Sequence, residues 1–403
     1  MTRIRRVSAT AAFVIGSSVL MGATAHAAAS TLIWVNNASG AGCADAAGSG
    51  SQAQPYCTIQ AAVNVAQPGD TVEVEPGVYN AQNNITTSGT SSAPITIEAD
   101  TQEAPVAISG VAHAFYVSGA SNIVIKGFQI GATTAEPVLI SGSSDVTVQK
   151  LAFNWVPDDG FENDQLHVTG DSSGIDISQN SFVMSTATAV QIDAGGSDDT
   201  VTTNLLDDVE GDGIVVDSTP GTNVVSNTID DTCGSSIDVT GTSTGATIEN
   251  NILADTFDGP KASCAASTAD IGGLEVDASA TSGTVANYND VDTAEDAIVD
   301  YIWGGTTYAA AAAFEAATGQ GAADANTSVL PSPLDTGVAN GSAPSEQSAA
   351  INSANSDAPG ELATDVYGNA RVDDPLVPNT GAGTYAYYDR GAVQRQDTVS
   401  FRS

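Results

Sequence analysis

Apolar residues recur in triplets with one intervening position, and the triplets themselves recur along the chain. They are Phe115-Tyr116-Val117, Val138-Leu139-Ile140, Leu166-His167-Val168, Val190-Gln191-Ile192, Ile214-Val215-Val216, Ile237-Asp238-Val239 and Leu274-Glu275-Val276, at spacings of 23, 28, 24, 24, 23 and 37 residues. A second set follows each by about eight residues, as in Ile123-Val124-Ile125, Val146-Thr147-Val148 and Ile175-Asp176-Ile177. A third element carries Asn180, Asn204, Asn227 and Asn250, spaced 24, 23 and 23. Strands this short cannot each bury a hairpin. Wound so that each lies on its predecessor, about 4.8 Å away, they close around an apolar centre. The pattern predicts an all-β fold, a right-handed parallel β-helix of three-strand coils with a 23–24 residue period and asparagines stacked coil upon coil. A β-sandwich also has short alternating strands but keeps no such period. Residues Thr58 to Ala66 carry apolar side chains at helical spacing and end at Pro68-Gly69, which predicts an N-terminal capping helix over the open first coil. The Ala-rich run Tyr308 to Thr318 predicts a second helix.

Before the repeat, Arg3, Arg5 and Arg6 precede an apolar run from Ala9 to Met21 that ends at Ala25-His26-Ala27. This is the pattern of a secretory signal peptide, placed at 1–29, and it predicts a secreted, extracellular protein. No other segment approaches the roughly 18 apolar residues of a membrane span. The organisation expected is a β-helix with its cap over 31–300, followed over 301–403 by a helix and an irregular segment packed on it. Four cysteines in an exported chain read as two disulfides, Cys43–Cys57 and Cys233–Cys264. The rival reading, a metal site, finds no CxxC spacing and only His113 and His167 beyond the leader.

Charge narrows the partners. Asp and Glu number 48 against 10 Lys and Arg, for a formal net charge of −38. Nucleic acid is excluded, because phosphate neutralisation needs basic residues that this surface lacks. Anionic polymers are repelled unless cations intervene, and like charge favours a monomer.

The segments Gln54-Pro55-Tyr56-Cys57-Thr58-Ile59-Gln60-Ala61-Ala62, Pro68-Gly69-Asp70-Thr71-Val72-Glu73-Val74 and Pro76-Gly77-Val78-Tyr79 resemble the opening of secreted bacterial right-handed β-helix repeat proteins of the pectate-lyase-like superfamily. Ser348-Ala349-Ala350-Ile351-Asn352, Thr364 to Arg371 and Asp389-Arg390-Gly391-Ala392-Val393 resemble the terminal segment called choice-of-anchor Q. The resemblance implies this fold and an extracellular polysaccharide partner. It leaves the activity open among lyases, hydrolases, epimerases and non-catalytic surface proteins.

Within each triplet the outer residues face the core and the middle one faces out. The outward column on the first sheet is Tyr116, Leu139, His167, Gln191, Val215, Asp238 and Glu275. A second runs through Ser118, Ser141, Thr169, Asp193, Asp217, Thr240 and Asp277. Insertions at 156–165 and 256–273 both precede this sheet and predict a walled groove along it. Asp193 and Asp217 fall on adjacent coils, about 5 Å apart. Three readings stay open for them: a retaining glycosidase pair, a calcium site, or a solvated acidic face. The run Asp207, Asp208, Glu210, Asp212 is the matching metal candidate, with calcium the expected ion. His167 is a candidate general base or a surface hydrogen-bonding residue. In the superfamily a lyase base is usually Lys or Arg, and Lys261 is the candidate so placed, with a surface ion pair as its alternative. Candidate substrate contacts are Tyr116, Trp155, Gln191, Asp238 and Glu275, Trp155 serving either as a sugar platform or as a loop anchor. Tyr301, Trp303 and Tyr308 are further aromatics of this kind. Arg371 and Asp389 are expected to form a structural ion pair.

Overall fold

The computed structural model describes residues 31–101, 104–155, 163–193, 195–254, 271–292, 298–326, 343–345 and 348–396. The expected signal peptide, Lys261 and Cys264 lie outside the described residues, as does most of each insertion. No described helix is long and apolar enough to cross a membrane.

The chain is a right-handed parallel β-helix. Each coil visits three sheets in turn, as Ser144–Gln149, Ala152–Trp155 and Leu166–Thr169 do. The first sheet, built from the recurring triplets, and the second, which follows each of them, have ten strands; the third has nine. Equivalent residues of successive coils pair in parallel register, for example Val138↔Leu166 and Ile140↔Val168. Alternation sends Val117, Ile140, Val168, Ile192, Val216, Val239 and Val276 into one internal column, each no more than 1% exposed. Aromatic pairs extend the core, Phe153 stacking on Phe182 at 4.7 Å and Phe115 meeting Phe128 edge-on at 5.0 Å.

The bend between the second and third sheets shows why the asparagines recur. Gln179, Thr203, Ser226, Asn250 and Tyr288 each have φ between 54° and 62°. That left-handed residue turns its side chain outward, and the next residue points in. The inward column is therefore Asn180, Asn204, Asn227, Asn251 and Asn289. The Asn204 Nδ2 donates to Asn227 Oδ1 at 3.0 Å, Asn227 Nδ2 to Asn251 Oδ1 at 3.1 Å, and Asn251 Nδ2 to Asn289 Oδ1 at 3.0 Å. Asn250, expected in this ladder, occupies the left-handed position instead, and its neighbour Asn251 takes the rung.

Both ends of the coil are covered. Helix Ile59–Val63 closes the first, with the Thr58 hydroxyl accepting from the Ala61 amide at 3.2 Å as N-cap. The disulfide Cys43–Cys57 ties the strand leading into it. Cys233 is also disulfide-bonded. At the far end the first sheet runs past residue 300, the expected boundary, through Ile298–Trp303 and an antiparallel return, Thr306–Tyr308. The second helix is Ala311–Thr318, and its Phe314 stacks on the buried Tyr301 at 4.4 Å, with Trp303 and Tyr308 tilted against it. Tyr301 is a core anchor of the cap, and Trp303 and Tyr308 are half-buried against it.

Residues 348–396 are largely irregular and dock on the corner between the second and third sheets. Gln179 Nε2 donates to the Asp365 carbonyl, Asn250 Nδ2 to the Asn355 carbonyl, and the Ala392 amide to Thr228 Oγ1. Val366, Ala392 and Val393 cluster with Leu205 of the third sheet. Arg371 is held inside this segment, but its ion-pair partner is Glu361 at 3.1 Å rather than the expected Asp389. Asp389 offers Arg371 its backbone carbonyl and spends its carboxylate on the Asn352 and Arg395 amides. In a three-sided coil this corner lies across from the first sheet.

Candidate active site

Three outward columns line the first sheet. The central one runs Tyr116, Leu139, His167, Gln191, Val215, Asp238, Glu275, with each residue registered against the next. Two positions on stand Asp193 and Asp217, registered partners on adjacent strands, then Thr240 and Asp277. A third column, three positions before each centre, holds His113, Glu136, Asp164, Thr188, Asp212 and Ser235 at a constant offset. This column carries no single recurring residue type, so its constant offset shows only once the coils are aligned.

The face divides into two groups. In one, His167 Nε2 lies 2.9 Å from Asp193 Oδ2. Asp164 stands nearby with its Oδ1 accepting from the Thr188 amide at 3.2 Å. Burial pushes the Asp164 carboxyl up, and His167 opposes that shift. His113 and Tyr116 sit two coils away with ring centres 5.6 Å apart. In the other group Asp238 is surrounded by carboxyls. Burial, then Glu275, Asp212, Asp277 and Asp217 in that order, push its pKa from 3.8 to about 7. Its neighbours are tethered: Ser235 Oγ donates to Glu275 Oε2 at 2.9 Å, the Ser235 amide to Asp212 Oδ1 at 2.7 Å, Thr240 Oγ1 to Asp277 Oδ2 at 2.6 Å, and Ser218 Oγ to Asp217 Oδ1 at 2.8 Å. Burial raises Glu275 and Asp212 as well.

The residues chosen from sequence therefore separate. Asp193 and Asp217 are side by side, but each already has a local partner, His167 and Ser218 respectively. Asp238 and Glu275, expected as substrate contacts, form the carboxyl pair with the more perturbed chemistry. Gln191 lies between His167 and Val215 in the central column. The structure places the backbone of Trp155 at the end of a third-sheet strand; its side chain lies outside the described residues.

The expected metal set does not converge. Asp207 belongs to the third sheet, Asp208 and Glu210 are exposed, and Asp212 faces the first sheet beside Ser235. Among the described residues, Asp207, Asp230 and Asp231 are the group whose carboxylate oxygens lie within 4.8 Å of one another. Two of them, Asp207 and Asp230, are registered partners. Oxygen donors of this kind suit a hard cation, but they sit on a different sheet from Asp238.

A carboxyl that keeps its proton near neutrality beside ionised ones divides the work of acid and base between chemically similar groups. Asp238 and Glu275 occupy the same column on adjacent strands, a spacing of about 4.8 Å. Retaining glycoside hydrolysis uses two carboxyls roughly 5–5.5 Å apart, a separation within reach of side chains registered on neighbouring strands.

Residues 40–224 match the family model described as Pel9A-like, right handed beta helix region. Among solved structures the chain is similar to pectate lyase Pel9A, at 12% identity and TM-score 0.40, covering 91% of this chain and 97% of that one. It is also similar to an alginate lyase from Paenibacillus sp. str. FPU-7, at 18% identity and TM-score 0.39, over 60% of this chain and 91% of that one. A rhamnogalacturonan lyase matches at 15% identity and TM-score 0.38, over 68% and 73%. No curated protein matches the chain.

Proposed function

We propose that the protein is an exported glycoside hydrolase that lays a neutral polysaccharide along its first sheet. The reading rests on Asp238, registered beside Glu275 and crowded by further carboxyls, where burial and these neighbours push its pKa up to about 7. Asp238 gives its proton to the glycosidic oxygen as the C–O bond breaks, and the Glu275 carboxylate takes the anomeric carbon. Water then cleaves the glycosyl ester while Asp238, now ionised, accepts the water's proton, which restores both carboxyls. Ser235 positions Glu275 and Asp212 through its hydroxyl and amide. The leader pattern and the Cys43–Cys57 disulfide support export, since disulfides persist in oxidising compartments.

Hydrolysis is favoured over β-elimination by the registered carboxyl pair Asp238 and Glu275 on the groove. Lys126 pairs with Glu98 at 3.0 Å on the second sheet, away from it. The acidic face also disfavours uronate polymers. The test is incubation of the purified chain with neutral and uronic polysaccharides, following new reducing ends and the ultraviolet absorbance of unsaturated products together. Reducing ends without absorbance, lost in Asp238→Asn, are expected. Absorbance, or a fully active D238N, contradicts the reading.

A further inference from the structure

Aromatic residues make up 5% of the chain, yet Tyr385, Tyr387 and Tyr388 lie together in the C-terminal segment. Tyr388 is buried, the Arg371 guanidinium lies over its ring at 5.5 Å, and Tyr385 stacks on it at 5.5 Å with the planes 9° apart. Tyr387 meets Tyr388 edge-on at 5.5 Å. The stack leads outward to Tyr385, which is 48% exposed.

The turn that presents Tyr385 is fixed before any ligand arrives. The Tyr385 amide donates to Ser356 Oγ at 2.8 Å, the Thr384 amide to Asp357 Oδ1 at 2.9 Å, and the Ser356 amide to the Ala382 carbonyl at 3.1 Å. Gly383 has φ 81°, and a Cβ there would stand 2.6 Å from Ser356 Oγ and 2.7 Å from the Asp357 nitrogen. A rigid aromatic held out to solvent loses little entropy when something stacks on it.

We infer that Tyr385, with Asp357 and Thr384 beside it, is a second glycan-binding surface that takes the pyranose rings of a neutral polysaccharide. The apolar C–H face of the sugar stacks on the Tyr385 ring, and its hydroxyls donate to the exposed Asp357 carboxylate, which the Thr384 amide keeps ionised. A net charge of −38 turns away polyanions and second copies of the chain, whereas uncharged sugar is indifferent to it. The segment sits on the corner across from the first sheet, so this surface anchors the protein to bulk polymer while leaving the groove free. It stands independently of the Asp238 chemistry.

Sedimentation with insoluble cellulose, starch granules and mannan tests it, on the full chain, for wild type, Tyr385→Ala, Tyr385→Phe, Asp357→Asn and Asp238→Asn. Wild type, Y385F and D238N are expected to partition onto at least one polymer alike. Y385A loses about tenfold in affinity and D357N about threefold, with turnover on soluble substrate unchanged. Thermal melts establish that each variant is folded; should Y385A fail to fold, D357N at the exposed carboxylate decides. Wild type bound to none of the three polymers, or Y385A and D357N bound as well as wild type, overturns the inference. So does preference for an anionic polymer.

Discussion

Two regions of the molecule hold clustered acids and treat them in opposite ways. On the corner between the second and third sheets, Glu361 is buried against Arg371, their side chains 2% and 0% exposed. Asp389 is buried there too; burial pushes its pKa up to about 7, but backbone amides on both carboxylate oxygens and the Arg371 guanidinium oppose that shift and favour the charged form. On the first sheet, the leading charged neighbours of Asp238 among the described residues are carboxyls, and each pushes its pKa up. A buried charge met by a cation and amides fastens one piece of chain to another. A carboxyl crowded by its own kind keeps a proton it can give away. The first arrangement builds structure and the second builds chemistry.

The comparison breaks most sharply at Asp238 itself. Asp238→Asn is expected to lower hydrolysis by about 10²–10⁴-fold, the usual range for a lost acid–base group, without loss of stability; reducing-end assays and melts on one preparation separate the two. Arg371→Ala should do the reverse. Leaving Glu361 buried without its cation costs about 3–5 kcal/mol, read as a lower urea midpoint, with turnover per folded molecule intact. Asn227→Ala leaves the Asn204 amide without its buried acceptor and removes a bond to the Val201 carbonyl. Each buried group left unpaired costs about 1–3 kcal/mol, again with activity preserved. The smallest effect is expected at the His167–Asp193 pair, whose side chains are 19% and 30% exposed. His167→Gln should change stability by no more than about 1 kcal/mol, measured by the same urea titration.

The pH dependence of Asp238 gives a second readout. The folded pKa of Asp238 lies above its unfolded value, so the folded state holds the proton more tightly. Stability from this group is fully present below about pH 4 and is lost as pH rises through about 7. Activity should fall as pH rises through about 7 and the proton donor ionises. In D238N the loss of stability between about pH 4 and 7 should flatten, which urea titrations at several pH values would show.

The β-helix was legible because its period is imposed by geometry: each apolar triplet must sit on the last, so the register of the first sheet follows from spacing alone. The site was only half legible. Alignment brought Asp193 beside Asp217 and Asp238 beside Glu275, but spacing cannot tell which carboxyl is more buried. Burial depends on the Asp212 and Ser235 column contributed by the preceding bend. The Asn250 assignment failed for a similar reason, since two adjacent asparagines leave the choice of left-handed residue to the backbone. Arg371 was assigned to Asp389 rather than Glu361 because an irregular segment has no period from which to infer its contacts.

A carbon-13 titration of the aspartate and glutamate carboxyls, in wild type and D238N, tests the central claim without needing a substrate. The account predicts a carboxyl that titrates near pH 7 in wild type and is missing from the D238N spectra. If every signal removed by the substitution titrates in the ordinary carboxylate range near 4, the face of the first sheet is a solvated acidic surface and Asp238 is not a proton donor.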